Sequence, residues 1–340
     1  MMKTLFVMWT GAVLIATGAL AQAPNFSDIR QLTHGGQNAE AYWSPDGKRL
    51  IFMTTRPPYG CDQIFIMNAD GTDQHLVSTG KGQTTCGYFL GDNRHIVYSS
   101  THLAGDACPT PPDRSKGYVW PVFSTYDIFL ATDTGKIVKR LTATPGYDAE
   151  TTVNWKTGTL VYTSLASGDL DLWTMRPDGS HKKQITTTTG YDGGPAMSRD
   201  GKKIVWRANH PKTPEDMARY KSLLAANQTT PMKMELVVSD ADGRDPHTIT
   251  SFGCASFAPT FTPDGKRILF SSNKHDCDSR HFELYMINVD GTGLKQVTSF
   301  GGFTSFPEFS PDGKTLVFCS DRDAKARYEF NIFTATWEEK

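Results

Sequence analysis

Short runs of β-branched and aromatic residues alternate with tight polar turns along most of this sequence. One phrase returns: an apolar stretch, then Ser/Thr-Pro-Asp-Gly, then a run such as Leu50-Ile51-Phe52. Proline fixes φ and glycine accepts a positive φ, so each copy predicts a tight turn between two strands, A and B. Clear copies begin at Ser44, Ser198, Thr262 and Ser310, and eroded copies at Leu90 and Trp155.

A second phrase follows the first and predicts two further strands, C and D. An apolar run leads to Asp-Gly and then to a strand that ends in Thr or Ser, as in Gln184-Ile185-Thr186. Four strands in about 40 to 45 residues indicate a β-propeller blade, and six copies indicate six blades. Asp-Gly of this second phrase stands at Asp70, Asp178 and Asp290.

The two ends of the repeat region predict how the propeller closes. The last unit stops after a strand C at Phe330 to Trp337, while Ile29 to Thr33 is a strand D without a unit of its own. Pairing the two ends removes open sheet edges. We therefore predict an all-β, six-bladed propeller of four-stranded antiparallel blades over residues 29–340, in which the N-terminal strand joins the last blade.

The Ser-Pro-Asp-Gly turn, the Asn-x-Asp-Gly turn and the strand ending in Leu-Thr resemble the repeats of the TolB C-terminal propeller. The resemblance covers residues 29 to 337. TolB carries an α/β domain ahead of its propeller, whereas only a few residues separate the leader from the first strand here, so we expect a TolB-like protein other than the cell-envelope TolB. The partner of the TolB propeller, the peptidoglycan-associated lipoprotein, is then an analogy only.

The first residues predict export. Lys3 precedes an apolar stretch from Leu5 to Leu20, and Ala19-Leu20-Ala21 is a small-x-small cleavage site. We expect a signal peptide at residues 1–21, cleaved after Ala21 or Ala23, a short linker at 22–28, and a periplasmic or secreted protein. A membrane anchor is the alternative, but the apolar stretch is short for a span.

Composition bears on the class of partner and on the redox state of the cysteines. With 35 basic and 36 acidic residues the net charge is −1, which does not favour nucleic acid. After export, six cysteines would meet an oxidising compartment. The disulfides we expect are Cys254 with Cys277, and Cys86 with either Cys61 or Cys108.

Antiparallel strand order places the A–B and C–D turns on one face and the B–C and D–A loops on the other. The second face collects the insertions, of which the largest are at about 102–124 and 209–234. Thr213 as N-cap and Pro214 at the first position predict a helix in the second insertion. This helix would be either a lid over the channel or a cover for blade edges.

Candidate binding residues cluster on this loop-rich face. Acids in the D–A loops would stand around the channel, where they could bind a hard cation, a basic peptide group or sugar hydroxyls. Alternatively, each Asp accepts hydrogen bonds from its own loop. The acids are Glu40, Asp148, Glu150 and Asp192, and the accompanying residues are Arg56, His102, Trp120, Arg207 and His210.

The sequence favours binding over catalysis. It contains no GxSxG, HExxH or Walker motif, so we name no catalytic residue and predict no cofactor. The preferred function is a monomeric, non-catalytic scaffold that presents its loop-rich face to a peptide, protein or carbohydrate in the cell envelope. The alternative is a metal-dependent enzyme similar to oligogalacturonate lyases, with a divalent cation at the mouth and ligands among His34, His102, His210, His275 and His281.

Overall fold

Each repeat folds into one four-stranded antiparallel sheet, as the two turn phrases predict. The computed structural model describes residues 26–115 and 117–338, in which six such sheets form a propeller. The predicted signal peptide and most of the linker lie outside the described residues. Strands A to D of blade 1 are β2 (Asn38–Trp43), β3 (Arg49–Thr54), β4 (Gln63–Asn68) and β5 (His75–Leu76), and those of blade 2 are β6 (Thr84–Phe89), β7 (His95–Ser100), β9 (Asp127–Thr132) and β10 (Ile137–Arg140).

The next three blades repeat this order from the innermost strand outward. Blade 3 is β11 (Asp148–Asn154), β12 (Thr159–Ser164), β13 (Asp171–Met175) and β14 (Lys183–Gln184). Blade 4 is β15 (Tyr191–Met197), β16 (Lys203–Asn209), β18 (Glu235–Asp240) and β19 (His247–Thr248). Blade 5 is β20 (Ser256–Phe261), β21 (Arg267–Ser272), β22 (Glu283–Asn288) and β23 (Lys295–Gln296).

Blade 6 confirms the predicted closure. It consists of β24 (Thr304–Phe309), β25 (Thr315–Ser320), β26 (Asn331–Trp337) and, as its outermost strand, the N-terminal β1 (Phe26–Gln31). Strand β1 pairs antiparallel with β26. It begins three residues before the predicted Ile29, and the Phe26 ring packs on Phe318 with 5.5 Å between centroids.

The A–B turn phrase is explained by its hydrogen bonds. In blade 1, Ser44 Oγ donates to Asp46 Oδ1 at 2.7 Å, and the same oxygen accepts the Lys48 N–H at 3.1 Å. Gly47 has a φ of 70°, which a side chain would strain. The same hydroxyl-to-carboxylate bond recurs in the turns that begin at Ser198, Thr262 and Ser310.

The Thr or Ser that ends each strand D ties that strand to strand C. Its hydroxyl accepts a backbone N–H of strand C at 2.8 to 3.0 Å in all six blades. These bonds are local to a blade and explain the second repeated phrase. The hydroxyls belong to Ser78, Thr142, Thr186, Thr250, Thr298 and, from the N-terminal segment, Thr33.

A ring of six backbone hydrogen bonds joins neighbouring blades on the loop-rich face. In each case a carbonyl just before strand C accepts the N–H at the start of strand A in the next blade, at 2.8 to 3.1 Å. The ring includes the bond from Asn38 to Phe330, which joins blade 1 to blade 6. The carbonyls belong to Asp62, Tyr126, Leu170, Met234, Phe282 and Phe330.

Hydrophobic cores lie between neighbouring sheets. Between blades 1 and 2, for example, Ile51 and Ile64 pack against Phe89 and Tyr98, all of them buried. The propeller is therefore held mainly by packing between sheets, to which a cluster under the large insertions adds. Within the described residues, no helix has the length and apolar character that a membrane span requires.

The two large insertions meet and form a cap over part of the loop-rich face. Strand β8 (Trp120–Pro121) pairs with β17 (Gln228–Thr229), and the predicted helix is present as α1 (Pro214–Ala225). Thr213 Oγ1 caps it by accepting the Asp216 N–H. The cap packs on the ends of blades 2 to 4, where Tyr220 donates to Asp169 and to the Gly190 carbonyl.

The disulfide prediction is half correct. Cys254 pairs with Cys277 as predicted, but Cys61 pairs with Cys108, and Cys86 is a buried free thiol. Cys86 lies within the innermost strand of blade 2, not in a loop, so the predicted Cys86 pairing is wrong. Both disulfides cross-link loops of the loop-rich face.

Candidate binding site at the channel mouth

The innermost strands of all six blades surround a narrow central channel. Each of these strands contains a β-bulge, and each bulge holds one residue with φ between 50° and 57°. A bulge redirects the side chains around it, and here residues at and beside the bulges line a cavity of about 90 Å³. The bulge residues are Glu40, Cys86, Glu150, Gly194, Ala258 and Phe306.

We use the word mouth for the opening of this channel on the loop-rich face. Two further sets of equivalent positions border it: the residue before each strand C and the residue three positions before each bulge residue. These positions share a backbone arrangement but differ in chemistry from blade to blade. The first set is Asp62, Tyr126, Leu170, Met234, Phe282 and Phe330, and the second is Gln37, Gln83, Tyr147, Tyr191, Ala255 and Phe303.

A buried polar network occupies the side of the mouth under the cap. Arg207 donates to Glu150 Oε1 at 2.5 Å and to the Tyr191 hydroxyl at 2.7 Å. Glu150 Oε2 accepts from Thr163 and from the Gly194 N–H, both at 2.8 Å. Arg207, Glu150 and Tyr191 are therefore linked by several hydrogen bonds, which hold the side chains in fixed positions.

The network is closed from above by the cap. The Arg207 guanidinium lies 5.0 Å from the centre of the Trp120 ring, which β8 brings from blade 2 to blade 4. Burial works against a charge on Arg207, but Glu150 outweighs that effect and raises its pKa. Arg207 is therefore a permanent cation whose charge Glu150 already neutralises.

Two glycines leave the space that this network needs. A Cβ at Gly193 would collide with the Tyr191 hydroxyl and with Glu150, and one at Gly194 would collide with Arg207. Gly194 also has a φ of 56°. The sequence Tyr191-Asp192-Gly193-Gly194 thus encodes the site through its glycines as well as through its polar residues.

The side of the mouth at blades 1 and 2 is acidic. Glu40 Oε2 accepts the Cys86 N–H at 3.1 Å and the Thr85 hydroxyl at 3.3 Å, and Asp62 accepts from Gln83 at 3.1 Å. Burial raises the pKa of Glu40, and the neighbouring charge of Asp62 raises it further. Burial also raises the pKa of Asp62. Within the described residues, no cationic side chain bonds to either carboxylate.

The side of the mouth at blades 5 and 6 is aromatic. Phe282, Phe303, Phe306 and Phe330 are partly exposed and surround the buried Phe257. Ring centroids are 4.9 Å apart for Phe303 and Phe330 and 5.0 Å apart for Phe257 and Phe282. The edge of Trp120 meets Phe257 at 6.2 Å, so the cap extends this aromatic surface.

Asp148 and Asp192 face into their own blades. Asp148 accepts from Ser164 and Thr144, while Asp192 Oδ1 accepts from Trp206 at 2.6 Å and contacts His210 Nε2 at 2.9 Å. Burial raises the pKa of Asp148. Burial would lower the pKa of His210, but Asp192 raises it above its usual value. These residues support the loops beside the mouth.

Arg56 and His102 contact aromatic rings on the outer strands of blades 1 and 2. The Arg56 guanidinium lies 5.8 Å from the ring centres of Phe52 and Phe65, and the His102 ring lies 4.5 Å from that of Phe129. Burial lowers the pKa of both. Of the nine predicted site residues, the structure therefore brings Glu40, Trp120, Glu150 and Arg207 together at the mouth.

The residues at the mouth do not fit a metal site. Among residues 26–115 and 117–338, no group of three or more His, Cys, Asp or Glu side chains is placed to hold a metal ion. Glu150 uses its oxygens on Arg207, Tyr191 and backbone donors. We therefore derive no chemistry through a divalent cation here.

Sequence reasoning missed Asp62 and the aromatic residues of blades 5 and 6. Aligning the blades at strand C would have placed Asp62 beside Phe282 and Phe330, because all three precede that strand by one residue. No comparable signal reveals the pairing of β8 with β17, since each strand has only two residues.

Comparison with known proteins supports the fold and the repeat type. Residues 221–335 match the family model described as the TolB beta propeller domain. Among curated protein sequences, none matches this chain significantly.

Three solved structures illustrate the similarity, which at these identities concerns the fold alone. A putative TolB from Agrobacterium tumefaciens has a TM-score of 0.58 and 16% identity, with 92% of this chain and 97% of that chain covered. TolB from Acinetobacter baumannii has a TM-score of 0.55 and 16% identity, with 89% of this chain and 65% of that chain covered. A gluconolactonase from Xanthomonas campestris has a TM-score of 0.60 and 12% identity, with 93% of this chain and 91% of that chain covered.

Proposed function

We propose that this chain, a TolB-like six-bladed β-propeller, is a binding module that holds a segment of a protein partner at the mouth of its channel. The observation that carries the proposal is the partly exposed aromatic surface of Phe282, Phe303, Phe306 and Phe330. Aromatic residues concentrate binding energy at protein interfaces because they bury a large area on few rotatable bonds.

The form of the site favours a polypeptide segment. The cavity below the mouth has a volume of only about 90 Å³, which is well under that of ordinary small-molecule pockets. A ligand must therefore lie mainly across the loop-rich face and insert at most one side chain. The resemblance to the TolB propeller, which implies a protein partner, points the same way.

Exposed apolar residues of the surrounding loops extend the proposed surface. Leu103, Tyr118, Met232 and Tyr328 all lie on the loop-rich face and are well exposed. Exposed apolar side chains grouped on one face mark interaction sites more often than scattered ones do. The disulfides Cys61–Cys108 and Cys254–Cys277 limit loop motion there, which reduces the entropy lost on binding.

Selection of peptides on the purified mature protein tests this function. We expect a phage-displayed library of random twelve-residue peptides to yield binders with micromolar Kd. The double variant Phe303→Ala, Phe330→Ala should weaken their binding by at least about tenfold. Leu294→Ala is the control, because this apolar side chain is also exposed but lies in the C–D turn of blade 5, on the opposite face.

Two results would contradict the proposal. Either the folded protein enriches no peptide, or the enriched peptides bind the double variant as tightly as they bind the parent. Thermal unfolding of each variant shows whether it is folded before binding is compared.

We also propose that the protein is exported. Stable disulfides are typical of oxidising compartments, and two of them are present here. Expressed with its leader in a Gram-negative host, the protein should reach the periplasm with an N-terminus at Gln22 or Pro24. N-terminal sequencing of the periplasmic fraction decides this, and an intact Met1 in the cytoplasm would contradict it.

A further inference from the structure

We infer that the partner inserts one lysine or arginine side chain into the mouth, with its aliphatic stem on the aromatic side and its charged group on the acidic side. This inference rests on the proposed function and names the chemistry of the residue that the mouth receives. It follows from comparing equivalent positions around the propeller.

One position in the ring before strand C breaks the pattern of the others. Five blades place an apolar or aromatic residue there, whereas blade 1 places Asp62. The bulge position of the same blade carries Glu40. The backbone does not require an acid at either position, because the other blades form the same ring and the same bulge with different side chains.

The charges at the mouth leave an excess of carboxylate. Glu150 is neutralised by Arg207. Glu40 and Asp62 accept only from neutral donors, namely backbone N–H, Thr85 and Gln83. Two carboxylates close enough to interact, without a cation of their own, form a surface that is complementary to one incoming positive charge.

The aromatic side supplies what the stem of such a side chain needs. Phe306 lines the same cavity as Glu40, and Phe303 and Phe330 lie above it. Lysine and arginine bury their methylene stems on apolar surface while the charged group stays with polar partners. Ring faces also attract a cation directly. A wholly apolar side chain would leave the two carboxylates desolvated and unpaired.

The ionisation of the two acids supports this interpretation. Burial raises the pKa of both Glu40 and Asp62, and the charge of Arg207 offsets this effect at Glu40 only in part. A bound ammonium or guanidinium group would lower the pKa of both carboxyl groups again. Binding should therefore be tighter at pH 7.5 than at pH 4.5, because protonation of the two acids as the pH falls removes the charges that attract the ligand.

The peptides selected on the parent protein provide the probe. We expect enriched sequences to share one lysine or arginine. In a synthetic peptide of such a sequence, replacing that residue with norleucine keeps the stem and removes the charge, and should raise Kd by at least about tenfold. Isothermal titration calorimetry measures both peptides.

The same peptides on a variant identify the acids that bind the charge. Glu40→Gln with Asp62→Asn should weaken the lysine peptide about tenfold and leave the norleucine peptide nearly unchanged. The matched control is Asp276→Asn with Asp278→Asn, since these acids are exposed on the same face outside the mouth. The norleucine comparison uses the parent protein alone, so it decides the question even if the acid variant does not fold.

The outcomes separate the two proposals. Binders without a shared basic residue, or equal affinity for the lysine and norleucine peptides, would overturn the inference and leave the protein-binding function standing. No binders at all would overturn both. Loss of lysine-peptide affinity in the variant at Asp276 and Asp278 as well would show that general surface charge, and not the mouth, attracts the peptide.

Discussion

At the bulge of each innermost strand, one backbone conformation is shared by five residue types in six blades. Glu40 and Glu150 use it to accept the N–H of the bulge residue in the next blade, whereas Gly194 uses it to admit Arg207. A left-handed φ costs a non-glycine residue about 1 to 2 kcal/mol. That cost is offset where the carboxylate gains inter-blade hydrogen bonds, so part of the site also stabilises the propeller.

Arg207→Met should lower the free energy of unfolding by about 3 kcal/mol, because it leaves the Glu150 carboxylate buried without its cation. Urea denaturation followed by tryptophan fluorescence measures this loss. Arg244→Met is the control, since its pairing with Asp242 is exposed and should contribute little. An equal loss of unfolding free energy in the two variants would show that the buried pair contributes no more to stability than the exposed pair.

Glu308 gives the stability a pH dependence. Burial raises its pKa to about 7, above the unfolded value of 4.5, so the folded state binds more protons between these pH values. Its contribution to stability is therefore complete below about pH 4.5 and is lost as the pH rises through about 7. Glu308→Gln should raise the unfolding free energy by about 3 kcal/mol at pH 8 and change it little at pH 4.

Thermal and urea unfolding of the two proteins across this pH range provide the test for Glu308. A parent and variant that differ by the same amount at pH 4 and pH 8 would contradict the prediction. Asp73→Asn, at an exposed acid, controls for the loss of one negative charge.

Individual site residues could be predicted only in part from the sequence. Strand order led to the prediction that Glu40 and Glu150 of the D–A loops stand near the channel, and the structure places both in the lining of the central cavity, together with Arg207. Asp148 and Asp192 follow the same motif, yet strand alternation turns their side chains away from the channel. A bulge shifts that alternation by one residue, and a single sequence does not reveal where the bulge lies.

At the scale of the strand, the hydroxyl that ends strand D acts as a cap for strand C. Thr298 Oγ1 accepts the Leu284 N–H at 2.8 Å and donates to Glu283 Oε2 at 2.5 Å. All three groups are buried. The repeated Thr is thus required by a polar atom of the neighbouring strand, and β-propensity alone does not account for it.

Thr298→Val keeps the shape of the side chain and removes the hydroxyl. It should lower the unfolding free energy by about 2 kcal/mol, because a buried N–H and a buried carboxylate each lose a partner. Thr187→Val, in an exposed loop, is the matched control and should be nearly neutral. Guanidinium denaturation of both variants measures the difference, and a neutral Thr298→Val would refute the capping role.

The elements of the cap differ in how far local sequence determines them. Helix α1 follows from its own residues, since Thr213 and Pro214 give the start signal. The pairing of β8 with β17 joins residues about a hundred positions apart, and neither strand is stable alone. Such a pair depends on the folded blades 2 and 4 bringing both insertions to the same place.

At the scale of the molecule, closure depends on β1. Removing residues 22–33 from the mature protein would expose the edge of β26 and the core that Phe26 and Leu32 cover. Burial of these two side chains contributes about 4 kcal/mol, so Tm should fall by about 10 °C and the protein should self-associate. Differential scanning calorimetry and light scattering measure the two effects.

A peptide added in trans separates strand loss from general damage. A synthetic peptide of residues 24–34 should restore part of the lost Tm, whereas a peptide of the same composition in scrambled order should not. Truncated protein that stays monomeric with an unchanged Tm would show that β1 is dispensable.

The architecture as a whole was the most predictable level. Six copies of the A–B turn phrase, three copies of the second phrase and the lone N-terminal strand were enough for the blade number, the strand count and the closure, because each depends on repeated local chemistry. The mouth was less predictable because its surface combines side chains from all six blades. The Cys86 pairing failed for the same reason: spacing does not show which cysteines share a face.

The ring of inter-blade bonds consists of main-chain atoms only. The partly exposed side chains beside it, Asp62, Phe282 and Phe330, can therefore vary without loosening the assembly, whereas their equivalents in blades 2 to 4 belong to the hydrophobic core under the cap. Recognition could diverge one blade at a time on an unchanged scaffold, much as antibody loops diversify on a constant framework. An engineer who wished to change the preferred partner would alter Asp62, Phe282 and Phe330 first, since these three are accessible from the loop-rich face.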